Sequence, residues 1–145
     1  MMQDRPDFEI DHRLAAMSVH IDRFADIDIR LVNDSRYHWL ILVPALPDIV
    51  EVDDLPPPTA GALFKLAGEL GARLKAYAKA DKINIAMIGN VVPQMHVHVV
   101  ARHIDDELWP DPIWGRGAPV PLPDDGLAAR KAALQAATTG LAQPE

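Results

Sequence analysis

The sequence predicts an α+β domain in which short strands, joined in hairpins, surround one long amphipathic helix. The helix is indicated by residues 59–80, where leucines recur at intervals of three and four, the period of a helix with one buried side. Strands are indicated by shorter apolar segments before and after it, which alternate with polar residues or stop at proline and glycine. Since 145 residues is the length of one ordinary domain, we expect a single domain over residues 1–145.

Before the long helix, the sequence predicts a short helix and a hairpin. Apolar residues at intervals of three or four favour a short amphipathic helix within residues 8–24. The residues that set this period are Ile10, Leu14, Met17 and Ile21. Residues 27–31 alternate between apolar and charged side chains, as in a strand with one buried face. Turn residues at 33–35 separate them from residues 39–43, which are apolar on both faces and end at Pro44, so we expect these two segments to pair.

The long helix follows an acidic, proline-rich loop at residues 47–58. Its predicted buried stripe consists of Leu63, Leu66, Leu70, Leu74 and Tyr77. Another strand is predicted at residues 83–87, where apolar and polar residues alternate. The acidic residues Asp124 and Asp125 precede an alanine-rich stretch, which indicates a capped C-terminal helix that ends near Gly140.

Composition excludes several classes of protein. Fourteen Lys and Arg against 21 Asp and Glu give a formal charge of -7, which argues against non-specific nucleic-acid binding. The chain has no cysteine, which excludes disulfides, thiolate metal sites and cysteine nucleophiles. The N-terminal residues are acidic where a signal peptide is basic, and no apolar run approaches the roughly 18 residues of a membrane span. We therefore expect a cytoplasmic protein that binds neither membranes nor nucleic acids.

Polar side chains share one face of the last predicted strand, residues 94–102. Because side chains alternate across a strand, Gln94, His96 and His98 lie on the same side. The opposite face is apolar and consists of Met95, Val97, Val99 and Ala101. Successive side chains on one face stand about 6.5–7 Å apart, a separation that a phosphate can span. The same histidines could instead be the polar face of a half-exposed strand, or supply two imidazoles to a metal ion that needs further ligands.

The segment from Gln94 to Val100 resembles the His-φ-His-φ-His-φ-φ motif of the histidine triad superfamily, with glutamine at the first position. The order of hairpin, long helix, strand and histidine strand resembles that family over residues 8–105 and leaves residues 106–145 as a C-terminal extension. The resemblance implies an antiparallel sheet with one central helix and a C-terminal helix. It also implies a homodimeric enzyme without a metal or other cofactor. Such enzymes hydrolyse or transfer nucleotides at the α-phosphate of nucleoside phosphoramidates, dinucleoside polyphosphates or nucleotidyl sugars.

The resemblance implies catalytic roles for three residues. His96 is expected to attack phosphorus and form a nucleotidyl-histidine, which a neutral imidazole can do when its other nitrogen donates to a backbone carbonyl. His98 is expected to hydrogen-bond the phosphoryl oxygens and, when protonated, to offset their charge. Gln94 is expected to contact the phosphate or the leaving group through its amide. Since glutamine cannot change charge, proton delivery from this position is lost.

Three further residues are candidates for substrate binding. Asn33 and Asn90 either contact the nucleotide or simply form turns. Arg102 either supplies positive charge at the end of the strand or is a solvated surface group. In the loop that follows, Trp109 and Trp114 could cover a nucleobase, pack on a partner subunit or anchor the loop.

Two other functions fit the same residues. The protein could be a metalloprotein that uses His96 and His98, in which case metal would copurify with it. It could also be a nucleotide-binding module that has kept the fold and lost the chemistry, in which case nucleotides would bind without turnover.

Overall fold

The computed structural model describes residues 8–141, which form one five-stranded antiparallel sheet with helices on both sides. The elements are α1 (His12–Met17), β1 (Ser18–Phe24), β2 (Ile27–Val32), β3 (Trp39–Pro44), α2 (Pro57–Ala78), β4 (Lys82–Met87), β5 (Val97–Arg102) and α3 (Asp124–Thr138), with a short 3-10 helix at Val52–Asp54. The strand order across the sheet is β1-β2-β3-β5-β4, and each neighbouring pair is antiparallel. The predicted α+β class, with one long helix and a C-terminal helix, is confirmed.

The larger core lies between the sheet and the helices α2 and α3. The four leucines of the predicted stripe are each at most 1% exposed: Leu63, Leu66, Leu70 and Leu74. Gly71 allows α2 to approach β4, because a Cβ atom there would lie 3.2 Å from Cγ2 of Ile83. Tyr77 does not belong to the buried stripe, contrary to the prediction. It is 41% exposed, and its ring meets the edge of His38 instead.

The other face of the sheet is covered by α1 and by the loop that follows β5. A smaller apolar cluster forms there, with Leu14 of α1, Ile41 and Val43 of β3, Val100 of β5 and Ile113 of the loop. The side chains of β5 alternate as predicted, so the apolar set joins the larger core while Val100 faces this smaller cluster. Regular pairing of β5 begins at Val97, three residues after the predicted start.

The prediction of one helix within residues 8–24 is wrong for the second half of that segment. Helical structure is confined to α1, and β1 then pairs with β2 as an edge strand. Ser18 marks the change, since its backbone is extended and its hydroxyl donates to the Leu14 carbonyl. Ile21 suits a helix because it lies seven residues after Leu14, and it suits a strand because it lies two residues after Val19. The apolar spacing alone could not distinguish these structures.

Both faces of β2 are buried, whereas the sequence predicted one buried face. Arg30 donates to the Asp28 carboxylate at 3.2 Å and to the Ser18 hydroxyl at 2.8 Å, and His20 also pairs with Asp28. Charged side chains that are paired in this way can be buried. The alternation of charged residues in β2 did not show that the neighbouring strand supplies their partners.

The C-terminal helix is confirmed at Asp124–Thr138, but its predicted side-chain cap is absent. The N-cap residue is Pro123, which makes no capping hydrogen bond with its side chain. Among residues 8–141, no helix is long and apolar enough to cross a membrane. The first seven residues, on which the expectation about a signal peptide partly rests, lie outside the described residues.

Candidate active site

A cleft of about 660 Å³ opens on the face of the sheet that α1 partly covers. Its walls come from α1, from the loop that follows β4 and from the loop around Trp114. His96 and His98 both contribute to the lining, together with Trp39 of β3. Gly89 is the second residue of the loop after β4 and has a φ of 69°, a conformation that glycine adopts without steric cost. The histidine end of β5 therefore faces a cavity large enough for a small molecule.

His96 lies immediately before β5 and is 7% exposed. Its Nδ1 atom is 2.8 Å from the backbone oxygen of Gln94. A carbonyl oxygen can only accept a hydrogen bond, so Nδ1 must carry the proton and donate it. The lone pair of the neutral ring is then on Nε2.

His98 has the opposite arrangement. The indole Nε1 of Trp39 donates to Nδ1 of His98 at 3.0 Å. Since the indole nitrogen can only donate, Nδ1 accepts and the proton of the neutral ring is on Nε2. Burial lowers the pKa of His98 to about 3, with a further contribution from the adjacent His96. His98 is therefore a neutral hydrogen-bond donor near pH 7, whereas the sequence analysis expected a role for its protonated form.

Aromatic rings surround the two histidines. The rings of His96 and His98 meet edge to face with centroids 4.8 Å apart. The ring of Trp114 lies 5.2 Å from that of His98, and its Nε1 atom is buried without a hydrogen-bond partner in residues 8–141. Trp109 does not line the cleft, because it packs beside the Arg102 guanidinium with 5.7 Å between Cζ and the ring centroid. The two tryptophans of the loop thus belong to different parts of the molecule.

Gln94 holds the segment that precedes α1. Its Oε1 accepts the backbone N–H of Asp11 at 2.8 Å, and its Nε2 donates to the backbone oxygen of Glu9 at 2.9 Å. Arg13 extends this arrangement, since it donates twice to the Asp11 carboxylate and once to the Val91 carbonyl. The Arg13 guanidinium keeps the pKa of Asp11 well below its usual range. Both atoms of the Gln94 amide are thus bonded to backbone groups, and its contact with a phosphate stays a prediction.

The structure brings only one of the three predicted substrate-binding residues to the cleft. Asn90 lies in the lining. Asn33 lies outside it and accepts the backbone N–H of Leu122 through Oδ1 at 2.8 Å.

Arg102 also lies outside the cleft and is 1% exposed, so it is not the solvated group that was considered from the sequence. Its Nε and one terminal nitrogen donate to the two oxygens of Asp106 at 2.8 and 3.0 Å. The other terminal nitrogen donates to Oδ1 of Asn84 at 3.0 Å. All three guanidinium nitrogens therefore have protein partners.

Trp39 and Arg13 are functional candidates that the sequence analysis missed. Trp39 was assigned only to a strand, and it faces His98 because β3 pairs with β5 in a register that sets Trp39 opposite Val100. Arg13 is the second residue of α1 and lines the cleft, directly after the segment that the Gln94 amide holds. Neither position could be found without knowing how the strands and the N-terminal segment pack.

The metal hypothesis needs a third ligand beside the two imidazoles. In the described part of the chain, no three His, Asp or Glu side chains lie close enough together to hold a metal ion. The donor set at this site is therefore a poor fit to a metal centre.

Comparisons with known proteins agree with this geometry. The HIT domain model matches residues 15–105. A histidine triad protein from Sinorhizobium meliloti is 40% identical, with a TM-score of 0.85 over 89% of this chain and 96% of that one. A histidine triad protein from Marinobacter aquaeolei is 36% identical, with a TM-score of 0.89 over 93% and 98% of the two chains, and one from Bradyrhizobium japonicum is 34% identical, with a TM-score of 0.85 over 90% and 98%. No curated protein matches the chain. The chain belongs to the histidine triad (HIT) family.

Proposed function

We propose that this protein is a nucleotide hydrolase or nucleotidyl transferase that acts at the α-phosphate through a nucleotidyl-histidine on His96. Membership of the HIT family supports a nucleotide-binding or nucleotide-hydrolysing role. The observation that carries the proposal is the hydrogen bond from Nδ1 of His96 to the Gln94 carbonyl. It holds the ring in the tautomer whose Nε2 lone pair is free to attack phosphorus.

His98 and the Gln94 carbonyl support the two charge changes of this reaction. When Nε2 of His96 bonds to phosphorus, the ring becomes positively charged, and the Gln94 carbonyl stabilises the Nδ1–H group that carries part of this charge. The Nε2–H group of His98 donates to a phosphoryl oxygen as negative charge builds up there. In the second step, water attacks phosphorus and releases a proton to solvent, while the electron pair of the P–N bond returns to Nε2 of His96 and restores the neutral ring.

The remainder of the cleft suits a nucleoside. Apolar side chains dominate the lining, among them Met17 and Ile88, and the Trp114 ring lies at one side. A nucleobase is planar and has two apolar faces, so such walls can bury it without leaving unpaired charges. Asn90 offers an amide to the ribose or to a phosphate. The homodimer implied by the family resemblance belongs to the proposal and can be tested by light scattering.

The first experiment measures hydrolysis of adenosine and guanosine phosphoramidates and of diadenosine polyphosphates, with and without EDTA. We expect nucleoside monophosphate to be released in the presence of EDTA, and a loss of at least about 10³-fold in kcat in His96→Ala. His12→Ala is the matched control, because the His12 side chain is 88% exposed at the start of α1. Tight nucleotide binding without any turnover would instead favour the binding module, and loss of activity with EDTA would favour a metalloenzyme.

A further inference from the structure

The cleft contains few groups that could protonate a leaving group. Among the described residues that line it, only Arg13, His96 and His98 have side chains that titrate. Arginine does not release a proton in proteins. His96 uses its free nitrogen as the nucleophile under the proposed function, and its other nitrogen donates to the Gln94 carbonyl. Any acid in the lining would therefore have to be His98.

The surroundings of His98 exclude that role. To become an acid, the ring must first take a second proton on Nδ1, where it already accepts the hydrogen bond from Trp39. An indole N–H cannot turn round to accept, so the second proton would break this bond and leave two donors facing each other. The ring is also 4% exposed, which opposes a charged form. His98 can share its Nε2–H group but cannot supply a proton.

The residues next to the cleft provide no substitute. The Gln94 amide does not ionise, and both its polar atoms bond to the backbone of residues 9 and 11. The Asp11 carboxylate accepts three hydrogen bonds from Arg13, two from the guanidinium and one from the backbone, and stays ionised. Glu51 lines a smaller cavity that shares Ile88, Gly89 and His96 with the cleft, but its carboxylate accepts the backbone N–H of Asp54 as a helix cap. Among residues 8–141, no group at the cleft is therefore placed to give a proton to the leaving group.

We propose that the site selects nucleotides whose leaving group is a phosphate or another acidic group over phosphoramidates of alkylamines. This inference rests on the proposed function. As the bond from Nε2 of His96 to the α-phosphorus forms, the bond from phosphorus to the leaving group breaks and its electron pair stays with the leaving group. A phosphate with a second pKa of about 6 carries that pair as a stable anion, whereas an alkylamine would depart as a strongly basic amide anion and must take up a proton to leave as the neutral amine.

Arg13 supports the same selection. It is the one Lys or Arg among the lining residues, and its bonds to Asp11 and Val91 fix the guanidinium at the wall of the cleft. Although Asp11 pairs with the guanidinium, each terminal nitrogen keeps a second N–H group on a side chain that is 43% exposed, and these groups can donate to a departing phosphate. A departing alkylamine carries no negative charge, so the guanidinium does not stabilise it. Arg13 is thus assigned as a specificity-determining residue.

The test is a series of adenosine 5′-phosphate derivatives that differ only in the leaving group: a phosphate chain, aryl esters of graded acidity and an alkylamine. We expect kcat/KM to fall steeply as the pKa of the leaving group rises, with the alkylamine at least about 100-fold below the phosphate, because general acid catalysis typically contributes 10²–10⁴-fold. Equal values across the series would overturn the inference and leave the proposed function intact. If no member of the series is hydrolysed, the proposed function fails and the inference with it.

A second measurement isolates Arg13. In Arg13→Gln, we expect KM for the substrate with a phosphate leaving group to rise about 10-fold, while KM is unchanged for the aryl esters, whose leaving group carries no charge before the bond to phosphorus breaks. Lys65→Gln removes the same charge from an exposed position on α2 and serves as the control. A variant that weakens all substrates equally would show a structural role for Arg13 and contradict its part in selection.

Discussion

The two ends of the polar face of β5 carry strongly polar side chains, but only one end leaves them available to a ligand. At the far end, all three nitrogens of the Arg102 guanidinium bond to Asp106 and Asn84. At the near end, His96 and His98 each give one ring nitrogen to a protein partner and keep the other for the cleft. A polar side chain on this strand is therefore available to a ligand only where its neighbours satisfy some of its hydrogen-bonding groups and leave others facing the cleft.

Among the substitutions at the two ends of this face, we expect the one at Arg102 to change the free energy of unfolding most. Arg102→Met leaves the Asp106 carboxylate without its main partner, which we expect to lower the free energy of unfolding by about 3–5 kcal/mol. The measurement is urea denaturation, followed by kcat/KM of the folded protein, which should stay within about twofold of the wild type. Arg116→Met is the control, because its ion pair with Asp111 is more than half exposed and should contribute less than about 1 kcal/mol. If Arg102→Met is as stable as the wild type but binds substrate more weakly, Arg102 is a substrate-binding residue and its structural role is contradicted.

A smaller effect is expected from pH, because His98 is held neutral at the near end. Its pKa is about 3 in the folded chain and 6.5 in the unfolded chain, so the unfolded chain binds more protons between these values. Stability is therefore complete above pH 6.5 and falls as the pH is lowered, by about 1 kcal/mol per pH unit. Burial also lowers the pKa of His38, to about 4, which adds a smaller loss in the same direction.

Urea denaturation between pH 6.5 and 5 measures this loss above the range in which carboxylates titrate. In His98→Gln the side chain stays neutral at every pH, so the free energy of unfolding should depend less steeply on pH. His12→Gln should show the same pH dependence as the wild type. A wild-type stability that does not change over this range would contradict the neutral state of His98.

The smallest effect is expected at Trp39, which sets the tautomer of His98. In Trp39→Phe the donor to Nδ1 is lost, and we expect kcat/KM to fall about 10-fold because the ring is no longer held in one orientation. Nitrogen NMR should show His98 protonated on Nε2 in the wild type and a mixture of tautomers in the variant. Trp109→Phe is the matched control, since Trp109 lies outside the cleft and packs beside Arg102. If the tautomer of His98 is unchanged in Trp39→Phe, Trp39 does not set it, and the role given to Trp39 is contradicted.

The sequence predicted the fold well wherever one pattern allowed one structure. This holds for the leucine stripe of α2 and for the alternation of β5. In each segment, only one type of secondary structure places the apolar residues on one buried face. It failed at β1, where Ile21 suits a helix and a strand equally, and at β2, where Ser18 and His20 of the adjacent strand complete the pairing of Arg30 with Asp28.

For the candidate site, the sequence identified the residue types but not their partners. The motif located His96 and His98, whereas the roles of Trp39 and Arg13 depend on strand register and on how the N-terminal segment packs. Arg102 resembles a substrate-binding group in the sequence, and only the structure shows that it is buried outside the cleft, with each guanidinium nitrogen bonded to Asp106 or Asn84.

The most direct test of the account is to trap the covalent intermediate. A diadenosine polyphosphate labelled at the α-phosphate is mixed with the protein, the reaction is quenched after a fraction of a turnover, and the labelled peptide is identified by mass spectrometry. We expect an adenylyl group on Nε2 of His96, which forms at least as fast as the nucleotide is released and is absent in His96→Ala. Turnover at the normal rate with no label on His96, or with the label on another residue, would contradict it.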